Sequence, residues 1–227
     1  MKFIIIGLGN FGGSLGIKLT ELGHEVFGID KNMEKVEIIK NKITHAICMD
    51  STDTIAVQSL PIRDTDIAIL TIGENDGASL ISTALLKQLQ VKRLISRSLS
   101  PLHRTILEAM GIEEIIQPEE ESAERLANKL DMKGVVDTFM LCDPFNIIEA
   151  KVPERYIGQT VEQVDFRRRY KVNILTIIKT EHQKNILGIS KKTNRIKGVA
   201  LPEDRIEADD ILVLFGDIHD IRRLLDE

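Results

Sequence analysis

A chain of 227 residues, 43% apolar and 29% charged, is long enough for one large domain or two small ones with real cores. The formal net charge is −5, with 15 Lys/Arg against 19 Asp/Glu in residues 1–133 and 15 against 16 in residues 134–227, so neither half offers the basic surface a nucleic acid needs. No apolar run approaches the roughly 18 residues of a membrane span and the N-terminus carries no signal pattern, so a cytosolic protein is expected, with any membrane role reached through a partner.

In chain order, apolar strand-like runs fall at Lys2–Ile6, Glu25–Ile29, Ala46–Met49, Ile67–Ile72, Arg93–Ser96 and Glu114–Gln117. Helical patterns lie between them. Phe11, Leu15, Leu19 and Leu22 recur on one helix face, stopped by Gly23. Val36 and Ile39 predict a second helix, and Ile55, Val57 and Leu60 a third. Leu80, Ala84 and the run Leu85–Leu89 predict a fourth, and Ile106, Leu107 and Met110, stopped by Gly111, a fifth. Strands alternating with helices predict a Rossmann-like, doubly wound parallel sheet covered on both faces. Aromatics are scarce at 4%, so Ile, Leu and Val must fill that core.

A last helix is expected over Glu120–Lys129, then a linker at Lys133-Gly134. Beyond it, Thr138–Leu141, Ile147–Val152, Asn173–Ile178 and Ile211–Phe215 read as strands without regular crossover helices, closed by a helix over Ile218–Leu225. The expected division is therefore a nucleotide-binding domain over 1–133 and a small α+β domain over 134–227, a size at which oligomer contacts help stability. Cys48 and Cys142 lie in apolar runs of different domains and are expected as buried free thiols.

The chemistry concentrates in the first thirty residues. Gly7, Gly9 and Gly12 follow the first strand and open a helix. Such glycines give a tight turn, close backbone approach to a pyrophosphate, and close helix–strand packing. The helix N-terminus then presents free N–H groups to the phosphates. Asp30 ends the second strand, 18 residues past Gly12, where a carboxylate accepts from ribose hydroxyls and repels a 2′-phosphate. The ligand expected is NAD(H), ATP, ADP or AMP rather than NADP. The other strand ends carry Asp50-Ser51-Thr52, Thr71-Ile72-Gly73-Glu74-Asn75, Arg97 and Pro118-Glu119, residues that loops also use for their own turns.

Taken together, Gly7-Leu8-Gly9-Asn10-Phe11-Gly12, Gly23-His24-Glu25-Val26 leading to Asp30, Asp50-Ser51-Thr52, Gly73, Arg97 and Pro118-Glu119 resemble the nucleotide-binding half of the Trk/Ktr regulatory proteins, the RCK or TrkA-N domains. Val152-Pro153, Tyr156–Thr160, Tyr170–Leu175 and Ala208–Gly216 resemble their TrkA-C domains, so the likeness spans nearly the whole chain. The resemblance implies a regulator rather than a catalyst. It would be a homodimer assembling into a ring on the cytosolic face of a membrane potassium channel or transporter, with a bound nucleotide shifting the ring. It further implies nucleotide contacts at Gly7, Gly9, Asn10, Phe11, Gly12, Asp30, Lys31, Asp50, Ser51, Thr52, Gly73 and Arg97, and a divalent cation at Glu119. Some C-terminal domains of the family bind a cyclic dinucleotide; the densest basic run here is Arg167–Lys171, otherwise a helix end. The basic run Lys191–Lys197 reads as a solvated hairpin loop. Ktr-type relatives often carry Arg at the fourth position of the glycine motif, reaching the terminal phosphate of ATP. Asn10 stands there, and an amide supplies no charge, which favours NAD(H) or ADP.

The competing class is an NAD-dependent oxidoreductase, which needs a proton donor or base beside the nicotinamide. None of His24, His45, His103, His182 and His219 sits at a predicted strand carboxyl end beside a second titratable group, and both tyrosines, Tyr156 and Tyr170, lie in the small domain.

Overall fold

The computed structural model describes residues 1–184, 190–196 and 198–226, with the backbone alone over 181–184 and 190–193. It divides into two compact units, Met1–Glu119 and Glu120–Glu227.

The first unit holds β1 (Lys2–Ile6), α1 (Asn10–Glu21), β2 (Glu25–Asp30), α2 (Met33–Ile39), β3 (His45–Cys48), α3 (Thr54–Gln58), β4 (Ile67–Leu70), α4 (Asp76–Gln88), β5 (Leu94–Arg97), α5 (Pro101–Ala109) and β6 (Glu114–Ile116). Its six strands are parallel in the order β3-β2-β1-β4-β5-β6, the doubly wound arrangement expected. The alternation of β1 shows why. Phe3 and Ile5 pack with Val26, Val36 and Ile39 under α1 and α2, while Ile4 and Ile6 pack with Val57, Leu70 and Leu86 under α3 and α4. Every residue of Phe3–Ile6 is buried, which only a sheet covered on both faces allows. Strand order reverses beside β1, where successive crossovers leave to opposite sides and open a crevice at the carboxyl ends.

The second unit contains the rest of α6 (Pro118–Asp131) and β7 (Val135–Cys142), β8 (Phe145–Lys151), α7 (Val161–Val164), α8 (Phe166–Tyr170), β9 (Asn173–Lys184), β10 (Ser190–Ile196), β11 (Ile211–Asp217) and α9 (Ile218–Asp226). Its sheet is antiparallel in the order β10-β9-β11-β8-β7. Leu212 and Leu214 of the central β11 enter a core with Ile148, Tyr156, Tyr170, Ile221 and Leu224.

Several expectations need correction. The helix faces shift because the close-packing positions are small residues. α1 buries Gly12 and Gly16, while Leu22 is 72% exposed beyond the helix end. α4 buries Leu86, with Leu85 and Leu89 partly buried against the core, but its other buried positions are Ser79, Ser82 and Thr83 rather than Leu80 and Ala84. Ser82 donates to Ser51 O at 3.0 Å and Thr83 to Ser79 O at 2.8 Å, so these hydroxyls are buried with partners. Ile55 of α3 and Ile106 of α5 are exposed. Cys48 and Cys142 are both exposed, not buried; each closes its strand. The run from Lys191 forms a strand arm, β10, antiparallel to β9, rather than the loop of a hairpin, and Lys197 lies outside the described residues. The short helices α7 and α8 went unread in the sequence. α7 is marked by a capping box in which Thr160 and Gln163 satisfy each other's backbone N–H, and α8 carries Arg167–Arg169 in its last turn.

Candidate functional site

The carboxyl ends of β1, β2, β4 and β5 open onto a cleft of about 630 Å³. Local chemistry builds its floor. Gly7 has φ +99, a left-handed conformation that glycine adopts at no steric cost, and a Cβ there would come 2.8 Å from Ile72 N. A Cβ on Gly12 would sit 2.0 Å from Gly7 O and 2.3 Å from Thr71 Oγ1, so the third glycine is a packing requirement beneath the cleft. Thr71, fully buried, donates its hydroxyl to Gly7 O at 2.6 Å and ties β4 to the glycine turn. Gly9 differs: a Cβ on it meets no atom within 4 Å. It is also the N-cap of α1, and no side chain caps that helix or places an acid in its first turn. The first-turn N–H groups and the room left by the missing Cβ together form a cradle for an anion.

Asp30 ends β2 at the rim. Its Oδ2 accepts from Leu8 N–H at 2.7 Å and its Oδ1 from Asn32 N–H at 2.8 Å. Both oxygens keep lone pairs for ligand hydroxyls, and the carboxylate is locked to the glycine turn. At the β3 end, Asp50 accepts from Thr52 N–H at 2.9 Å and Thr52 Oγ1 at 2.7 Å, which holds its carboxyl below the usual range. Ser51 turns its hydroxyl to Ser82 at 2.8 Å. At the β5 end, Arg97 Nη2 donates to Glu119 Oε1 at 2.6 Å. Gly73 leaves the space this needs, since its Cβ would lie 2.7 Å from Arg97 Nη1.

The cleft therefore brings together Gly7, Gly9, Asn10, Phe11, Asp30, Lys31, Asp50, Ser51, Thr52, Gly73, Arg97 and Glu119; Gly12 lies under it. Sequence reasoning missed Lys35 and Ala78, and gave Glu74 and Asn75 only as turn residues. Lys35 Nζ reaches Glu74 Oε1 at 3.0 Å. Hydrogen bonding to Glu74 raises its pKa most, desolvation lowers it by less, and the charges of Asp30 and Glu74 add smaller raising contributions. Nothing local in the sequence signals a contact between side chains 39 residues apart. Among the described residues no three His, Cys, Asp or Glu side chains converge to hold a metal. Glu119 could offer a divalent cation one carboxylate, whose Oε1 is already engaged by Arg97. Among them, too, no helix is long and apolar enough to cross a membrane.

Comparison with known proteins agrees with this geometry. The TrkA-N domain model matches residues 3–118. The chain is 32% identical over 222 residues to Ktr system potassium uptake protein C of Bacillus subtilis, covering 98% of this chain and 95% of that protein. It is also 32% identical to Ktr system potassium uptake protein A of the same organism over 226 residues, covering 100% and 96%. Among solved structures, the GsuK RCK domain superposes with a TM-score of 0.66 at 15% identity, covering 100% of this chain, which spans 48% of that one, and so supports the shared fold. A glycine turn closed by Thr71, an aspartate fixed at the end of β2, and full-length likeness to two uptake proteins converge on one assignment: the chain belongs to the TrkA-N family, alongside the Ktr potassium uptake proteins.

Proposed function

We propose that this chain is a nucleotide-binding regulatory subunit of a membrane potassium-uptake system, held at the cytosolic face of the membrane through its transporter partner. The ligand is an adenine nucleotide with a free ribose 2′-hydroxyl, NAD(H) or ADP ahead of ATP. The carrying observation is the cleft. Asp30 is set for the ribose, the open Gly9 turn and uncapped α1 for two phosphates, and Asn10 gives a third phosphate no charge. The only arginine lining the cleft among the described residues is Arg97, already held by Glu119. The likeness to potassium uptake proteins along nearly the whole chain supports the partner.

The first units pair and the pairs build a ring; exposed Ile81, Leu102 and Ile106 on α4 and α5 support an apolar contact. A nucleotide then acts by binding one ring shape more tightly than another. A cyclic dinucleotide at the second unit belongs to the same reading, supported by Arg168, 88% exposed on α8. Against the oxidoreductase reading stands that no His, Tyr or Cys lines the cleft among the described residues, and that of its two lysines, Lys31 and Lys35, the second is engaged by Glu74.

Calorimetric titration with NAD⁺, NADH, ATP, ADP, AMP and a cyclic dinucleotide tests the ligands. Binding of NAD(H) or ADP below millimolar supports the reading, and silence from every nucleotide overturns it. Co-purification with a potassium-transport membrane subunit supports the regulatory role, whereas turnover of NAD⁺ with a small substrate defeats it.

A further inference from the structure

Asp30 is not the only carboxylate at the ribose end of the cleft. Lys35 projects from α2, the helix that follows β2, and Glu74 from the turn that follows β4. These elements flank β1 on its two sides, and the 3.0 Å ion pair joins them at the cleft. Lys35 also feels the charge of Asp30. In nucleotide sites of this fold a cation near the carboxylate at the end of the second strand is what accommodates a 2′-phosphate. Lys35 has that position and charge, and Glu74 occupies it.

We infer that Glu74 is a specificity-determining residue: by holding Lys35 it denies a 2′-phosphate its counter-charge, and with Asp30 it selects nucleotides whose ribose 2′-hydroxyl is free. The inference rests on the nucleotide reading above. It divides the rejection between two carboxylates. Asp30 both accepts the ribose hydroxyls and repels the phosphate, while Glu74 engages Lys35, one of the two lysines that line the cleft, and so withholds its charge from that phosphate, a repulsive device against the wrong ligand. Glu74 is 80% exposed and Lys35 30%, so the pair is screened by salt and its share of the selectivity is modest.

The test is the affinity ratio of a matched pair, NADP⁺ to NAD⁺ or 2′-phosphorylated ADP to ADP, whichever the full chain binds, measured by calorimetry. Glu74→Ala and Glu74→Gln should raise that ratio about two- to five-fold at low salt, the scale of an exposed charge pair, and less at high salt. Lys35→Ala combined with Glu74→Ala should return the ratio to the wild-type value. Melting curves establish that each variant is folded. An unchanged ratio, or a gain that survives the loss of Lys35, overturns the inference while leaving nucleotide binding intact. Wild-type protein that binds no member of either pair overturns the nucleotide reading and this inference together.

Discussion

In the first unit the polar residues at the ends of β1, β2, β4 and β5 face a cleft, and several keep unused hydrogen-bonding capacity. In the second unit two buried polar clusters are instead spent on the unit itself. Asp210, 2% exposed, accepts from Lys179 Nζ at 2.6 Å and from Glu207 N–H at 2.7 Å. Tyr156 donates its hydroxyl to Tyr170 at 2.6 Å inside the core. A parallel sheet buried on both faces leaves only its strand ends for chemistry, and there the chain's own groups remain available to a ligand. In the antiparallel unit these two buried contacts hold its own core together. Substitutions in the two units should therefore fail in different ways.

The largest effect is expected where the binding unit has no room. Gly12→Ala drives a Cβ into Gly7 O and Thr71 Oγ1 and should cost about 3 kcal/mol of stability, read as a large fall in Tm. Gly9→Ala, with nothing within 4 Å, should leave Tm within a degree or two yet weaken nucleotide binding at least ten-fold. Equal Tm losses for both glycines would erase the distinction between packing and cradle.

Next in size is the second unit's buried pair. Asp210→Ala removes the nearest partner of Lys179, which keeps Arg205 O at 2.8 Å, Glu207 at 3.6 Å and 15% exposure, so the cost should be about 2 kcal/mol, below that of breaking an isolated buried pair. Nucleotide affinity, measured on the folded fraction, should not move. A matching loss of affinity would mean that this pair does more than hold its own unit together.

Asp30→Ala should lower nucleotide affinity about ten-fold, the scale of a charge-assisted hydrogen bond. It should also cost about 1 kcal/mol, since Leu8 and Asn32 lose their acceptor. Unchanged affinity would place the ribose elsewhere.

The smallest effect is the response to acid. Asp50 is held below the usual carboxylate range by Thr52, Asp66 by Lys2 N–H and Lys92, and Glu114 by Arg93, all in the first unit; Asp137, held by Arg125, is in the second. A depressed folded pKa contributes stability above the unfolded value, about 4, and that contribution is lost as pH falls through the folded value. Tm should thus stay level from pH 7 to about 5 and decline below about 4, more in the first unit than in the second. These groups are exposed, so the slope should be shallow and flatten in salt. A decline beginning near pH 6 would point to histidines instead.

Much of this molecule was legible before any coordinates. The apolar Phe3–Ile6 run, the three glycines and Asp30 eighteen residues on specify a strand, a turn and a second strand by local backbone requirements alone. The alternation of strands with helices likewise pointed to a parallel sheet in the first half, and its loss to a small α+β second half, whose sheet is antiparallel. The helix faces were less legible, because periodicity ranks residues by hydrophobicity while α1 and α4 pack closest through Gly16, Ser82 and Thr83. Cys48 and Cys142 look apolar in sequence, yet each falls at the exposed end of its strand. The sequence by itself determined the strands, the alternation of strands with helices and the glycine turn, since each is set by neighbours a few residues away. Only the tertiary structure decided which charges meet in the cleft. Lys35 with Glu74 and Arg97 with Glu119 are brought together by strand order, and no short-range pattern encodes a contact made across a sheet.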